Sequence, residues 1–133
     1  MITGLAHVCF VVNDLEASIA FYHEKLGLTP AFDFINENNE RFGIYLHVGG
    51  RCFIELFRGE VNAPIAGQSY QHICLEVDDI QTTVAELRAS GVEVGPISFG
   101  GDQSWQAWLS DPDGNRIELH QYTPESKQAP WVK

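Results

Sequence analysis

Basic residues are scarce in this chain. Lys and Arg number 8 among 133 residues, against 18 Asp and Glu, for a formal charge of −10 at pH 7. That balance leaves no basic footprint for nucleic acid or for an anionic bilayer, so neither is expected as a partner. Cysteine is sparse as well. Cys9, Cys52 and Cys74 are odd in number and match no zinc-motif spacing. They make no disulfide framework, and a reduced, cytoplasmic chain is expected. No apolar run approaches the length of a membrane-spanning helix. The opening "MITGLAHVCF" lacks the basic start of a secretory signal. The composition, 44% apolar and 20% charged, is that of one globular domain with a real core over 1–133.

The chain also repeats itself. "AHVCFVVNDL" (6–15) returns as "QHICLEVDDI" (71–80), aligning His7 with His72, Cys9 with Cys74 and Asp14 with Asp79. Later, "CFIEL" (52–56) matches "NRIEL" (115–119), aligning Glu55 with Glu118. The offset is 65 residues at the histidines and 63 at the glutamates, a difference that loops absorb cheaply. Two units follow: module one at 1–60, a linker at 61–69, module two at 70–122, and a polar surface tail at 123–133.

Each unit opens with an apolar strand, 5–12 and 70–77. A helix follows, for which Asn13-x-x-Glu16 and Asp78-x-x-Gln81 read as capping boxes. Leu15, Ile19, Tyr22 and Leu26 recur at helical spacing, as do Ile80, Val84 and Leu87. Gly27 and Gly91 stand where a helix end wants a left-handed residue. Three strands complete each unit, at 31–35, 41–48 and 52–58, then at 92–98, 104–110 and 115–122. "DPDG" (111–114) is a strong turn signal. The expected fold is α+β, two tandem βαβββ modules.

Strand parity puts His7, Cys9 and Val11 on one face and Val8, Phe10 and Val12 on the other. Glu118 shares its face with Arg116, His120 and Tyr122. Glu55 lies between Phe53 and Phe57, where a carboxylate needs a partner. A single strand histidine is commonly structural. Four residues at equivalent places of a duplication, His7, Glu55, His72 and Glu118, instead form an N₂O₂ donor set for a divalent first-row metal. Cys9 and Cys74 read as wall residues, with soft ligation left open. His120 is open between supporting Glu118 and facing substrate. His23 and His47 read as structural or surface residues. Trp105 and Trp108 differ in parity, so at most one faces a pocket. Arg58 and Arg116 read as surface ion-pair partners or as contacts for an anionic substrate.

The duplication, "HVCFVVNDLEASIAFYHEKLGL" and "DPDGNRIEL" together resemble the vicinal oxygen chelate superfamily over residues 3–122. Its members include glyoxalase I, fosfomycin-resistance proteins, bleomycin-resistance proteins and extradiol dioxygenases. The resemblance implies an open eight-stranded barrel around a divalent Ni, Zn, Co, Mn or Fe ion. It places the metal ligands at His7, Glu55, His72 and Glu118. That set looks most like glyoxalase I, a lactoylglutathione lyase and usually a homodimer. It implies proton abstraction beside a carbonyl with a metal-chelated enediolate, Glu118 acting as base and Glu55 second. Two features depart from glyoxalase I: Val11 stands where an Arg grips glutathione, and no Asn follows Glu55 in "IELFRGE". The alternatives are a fosfomycin-resistance-type transferase or hydrolase opening an epoxide, and a non-catalytic, bleomycin-resistance-like drug-binding protein. The fosfomycin enzymes resemble both chain ends but use three protein ligands.

Overall fold

Side-chain alternation along the first strand sets the plan of each unit. The computed structural model describes residues 1–62 and 67–132; part of the expected linker, 63–66, lies outside the described residues. Strand β1 (His7–Val12) turns Phe10 and Val12 into the core and leaves His7, Cys9 and Val11 exposed, as parity predicts. The chain divides into two units, Met1–Ala63 and Pro64–Lys133.

In the first unit, helix α1 (Leu15–Ile19) follows β1 and widens into a π-helical stretch, Ala20–Lys25. Strands β2 (Thr29–Ile35), β3 (Arg41–Gly49) and β4 (Cys52–Arg58) complete a sheet of order β1-β4-β3-β2. The second unit repeats the scheme with β5 (Ile73–Glu76), α2 (Ile80–Ala89), β6 (Ser98–Phe99), β7 (Trp105–Ser110) and β8 (Arg116–Gln121), in the order β5-β8-β7-β6. β1 pairs with β4, and β5 with β8, in parallel; the other pairs are antiparallel. Each unit is therefore one βαβββ module, and the α+β class expected from the duplication is what the chain forms.

Each core lies on the helix-facing side of its sheet. In the first unit Leu15, Ile19 and Tyr22 are buried, as are Ile44, Leu46, Ile54 and Leu56 of the sheet, and α1 contacts β4. Ile80, Val84 and Leu87 meet Ala107, Leu109, Ile117 and Leu119 in the second. Burying each aliphatic side chain contributes roughly 1.5–3 kcal/mol, which fixes which face the sheet turns inward.

Several expectations shift in detail. The N-caps fall one residue later than the predicted boxes, on Asp14 and Asp79, which are extended and accept from Ala17 N at 3.0 Å and Thr82 N at 2.9 Å. Asn13 is engaged elsewhere: it accepts from Val61 N at 2.9 Å and donates to Val61 O at 3.0 Å. Gly91 (φ 87°) ends α2 in a Schellman motif, with Val92 N donating to Leu87 O at 2.9 Å and Gly91 N to Arg88 O at 3.1 Å. The expected strand over 92–98 is mostly irregular. Pro96 lacks a donor, and the Arg88 guanidinium takes the carbonyls of Val94 and Gly95 at 3.0 and 2.9 Å. The tail lies mostly at the surface and is tied down there. Ser126 is buried, bonds Ser104 at 2.7 Å, and Lys127 N donates to Asp102 O at 2.9 Å.

Candidate functional site

The open face of each sheet, opposite its helix, carries the residues singled out by the repeat. In the first unit His7 lies on β1 and Glu55 on β4, and His7 Nε2 stands 4.0 Å from Glu55 Oε1. In the second, His72 precedes β5, Glu118 lies on β8, and His72 Nε2 stands 3.2 Å from Glu118 Oε2. Both glutamate side chains are mostly covered, 14% and 12% exposed, so each needs a charge partner. The His–Glu pairing within each unit follows from the parallel pairing of its first and last strands.

The same pairing accounts for the repeated cysteine. Cys9 is the Cα partner of Glu55, and Cys74 of Glu118. A small side chain there lets the carboxylate reach its histidine, and the thiol can donate to it. Desolvation, then hydrogen bonding to Glu55 and its charge, push the Cys9 thiol up to about 11. Desolvation, then the charge of Glu118 and its hydrogen bond, push Cys74 up to about 12. Both thiols therefore stay protonated at neutral pH.

The two pairs have different neighbours. Tyr45, the β3 partner of Glu55, brings its hydroxyl within 3.3 Å of His7 Nδ1. Hydrogen bonding to Glu55 raises the Tyr45 phenol above its ordinary range. Phe32 stacks on Tyr45 at 4.6 Å, and Phe34 meets Phe57 at 5.0 Å, so aromatic rings line this face. In the second unit Trp108 faces the pair: its ring lies edge-on to His72 at 4.8 Å, with the Arg116 guanidinium 4.3 Å above it. Arg116 is thereby stacked on a ring, and Arg58 pairs with Glu40 at 3.7 Å. His120 Nδ1 lies 3.1 Å from Glu118 Oε1. Donor atoms of Cys74, Glu118 and His120 lie within 4.8 Å of one another. His23 and His47 bond backbone carbonyls, Leu28 O at 2.8 Å and Gly50 O at 3.0 Å, and serve structure.

Sequence reasoning passed over Tyr45 and Asp102. The β3–β4 register across the "GGR" turn would have set Tyr45 opposite Glu55. Asp102 sits in an irregular loop, and its approach to His120 has no sequence signal.

Two mixed sheets, each presenting a His–Glu pair on its open face, define a two-module α+β protein with paired potential metal ligands. The family model of the Glyoxalase/Bleomycin resistance protein/Dioxygenase superfamily matches residues 4–119. The chain belongs to that superfamily. It is 32% identical over 123 residues to a lactoylglutathione lyase of Haemophilus influenzae, covering 86% of this chain and 90% of that protein. It is 33% identical over 126 residues to the metallothiol transferase FosB of Staphylococcus epidermidis, covering 90% and 82%. Among solved structures it is similar to TnmS3, an antibiotic binding protein from Streptomyces sp. CB03234, at a TM-score of 0.74 and 27% identity, covering 92% and 98%. Among the described residues no helix is long and apolar enough to cross a membrane.

Proposed function

We propose that the chain is a metal-dependent lyase or isomerase of the lactoylglutathione lyase type. In this reading His7, Glu55, His72 and Glu118 are ligands for a divalent ion, and Glu118, with Glu55 second, moves a proton at the carbon beside a carbonyl. The carrying observation is the same His–Glu pair at matching places of both modules, with donor atoms 4.0 and 3.2 Å apart. Two ligands bound at about 2.1 Å, at angles between square and tetrahedral, stand about 3.0–3.4 Å apart. The second pair already has that spacing; the first would close by less than about 1 Å. Imidazole and carboxylate donors suit Ni, Zn, Co, Mn or Fe. Such an ion, when bound, supplies Lewis-acid polarisation of a substrate oxygen.

The remaining roles fall to side chains. His7 and His72 aim one nitrogen each at the carboxylate of their pair. Glu118 is the proton acceptor because its Oε2 faces the site while Oε1 is held behind it by His120. Tyr45 braces the His7 ring from Nδ1. The rings of Phe32, Phe34 and Phe57 set an apolar surface beside Glu55. The same reading makes the protein a cytoplasmic homodimer, its oligomeric state to be checked by light scattering.

The test is metal analysis combined with turnover of methylglyoxal–thiol hemithioacetals. Well under one metal per site, with no gain on adding Ni²⁺, Co²⁺, Mn²⁺ or Zn²⁺, removes the enzyme reading. Epoxide opening of fosfomycin without hemithioacetal turnover replaces the lyase by the transferase. A second reading, binding of a flat apolar molecule without chemistry, is favoured by the exposed rings, Phe32 being 50% exposed beside Tyr45. Saturable quenching of intrinsic fluorescence by such a molecule in metal-free protein, with no turnover after metal loading, would establish it.

A further inference from the structure

His120 is buried, 7% exposed, with a carboxylate at each ring nitrogen. Nδ1 lies 3.1 Å from Glu118 Oε1. Nε2 lies 3.6 Å from Asp102 Oδ2 and makes no hydrogen bond of its own. Asp102 is fixed from outside: Gln128 Nε2 donates to its Oδ2 at 2.7 Å, and Lys127 N to its backbone oxygen at 2.9 Å. The tail thus holds a loop, the loop holds a carboxylate, and that carboxylate faces the back of the imidazole.

We infer that His120 is a positioning residue: it grips Oε1 of Glu118 so that Oε2 stays turned toward His72, and Asp102 with the C-terminal tail keeps the imidazole in place. The inference rests on the reading of Glu118 as a metal ligand. A carboxylate free to rotate about its last torsion must be ordered when an ion binds. One already held by a hydrogen bond from a buried ring is ordered beforehand, which raises metal affinity. The device belongs to one module only. At the 63-residue offset that aligns the glutamates, the counterpart of His120 is Phe57, which gives Glu55 no such donor. The competing geometry makes Nδ1 itself a ligand beside Cys74 and Glu118.

The experiment is a Co²⁺ titration of the purified full chain, followed by visible absorbance, for wild type, E118Q, H120A, H120N and H120Q. Asn places its amide nitrogen near the Nδ1 position; Gln places its own near Nε2. The expected results are loss of Co²⁺ affinity by about 10–100-fold in H120A, recovery in H120N with the wild-type spectrum, and no recovery in H120Q at an equal melting temperature. Wild-type affinity in H120A overturns the positioning role and leaves the metal reading standing. Equal loss in H120A and H120N overturns it in favour of direct ligation or mere packing. A wild-type chain that takes up no Co²⁺ overturns both this inference and the metal reading. Failure of E118Q alone to weaken binding removes Glu118 as ligand, and His120 with it.

Discussion

Alkylation of the metal-free native protein probes the arrangement of Cys9 against Glu55 and of Cys74 against Glu118. Both cysteines are exposed, so access alone predicts fast reaction. Their thiols are nevertheless raised from an ordinary 9.0 to about 11 and about 12. At pH 8 the thiolate fraction falls tenfold per unit, about 100-fold for Cys9 and about 1000-fold for Cys74. A more basic thiolate is a better nucleophile, with a Brønsted slope of about 0.4–0.5, which returns about 8-fold and about 20-fold. The net expectation is alkylation about 10-fold slower than a small free thiol at Cys9 and about 50-fold slower at Cys74. Iodoacetamide labelling at pH 8, quenched over time and read by peptide mass spectrometry, measures both rates in one sample. The sign also sets a stability trend. A thiol whose folded pKa is raised contributes its full stabilisation below the unfolded value near 9.0 and loses it as pH rises toward 11–12. Labelling of Cys74 at the free-thiol rate, in protein with an unchanged circular dichroism spectrum, would refute the carboxylate contact.

Replacing Glu55 by Gln should abolish lyase turnover while the melting temperature holds; a fully active variant would remove Glu55 from the site. Asp111 is buried and its carboxylate accepts from Asp113 N at 2.9 Å, Asn115 N at 2.8 Å and Asn115 Nδ2 at 2.9 Å. Asp111→Ala should cost about 2–4 kcal/mol, lowering the melting temperature by about 7–14 °C in a calorimetric scan. Gly91→Ala forces a side chain to φ 87°, and chemical denaturation should show a loss of about 1–2 kcal/mol.

Much of this architecture was readable because it is written twice. The His–Glu positions, the face they share and the helix that covers the other face all follow from strand parity and from two aligned phrases. Gly27 and Gly91 marked the helix ends because only a left-handed residue closes them there. What escaped reading depends on side chains competing for backbone groups. Arg88 claims the carbonyls that a strand at 92–97 would have needed. Asn13 is bound to Val61, 48 residues away, and so leaves the cap to Asp14. Asp102 meets His120 only because the tail folds back on its loop, a contact with no periodicity to announce it.

The unequal outer strands carry a record of divergence. β2 runs seven residues and β6 only two, whereas the parallel pairs β1–β4 and β5–β8 set cysteine opposite glutamate in both halves. The two copies thus differ at the outer strand and agree in that register. A synthetic chain built from two copies of the first module would keep both His–Glu pairs. It would also replace His120 by the equivalent of Phe57. Such a symmetric ancestor would separate what doubling alone supplied from what one half acquired afterwards.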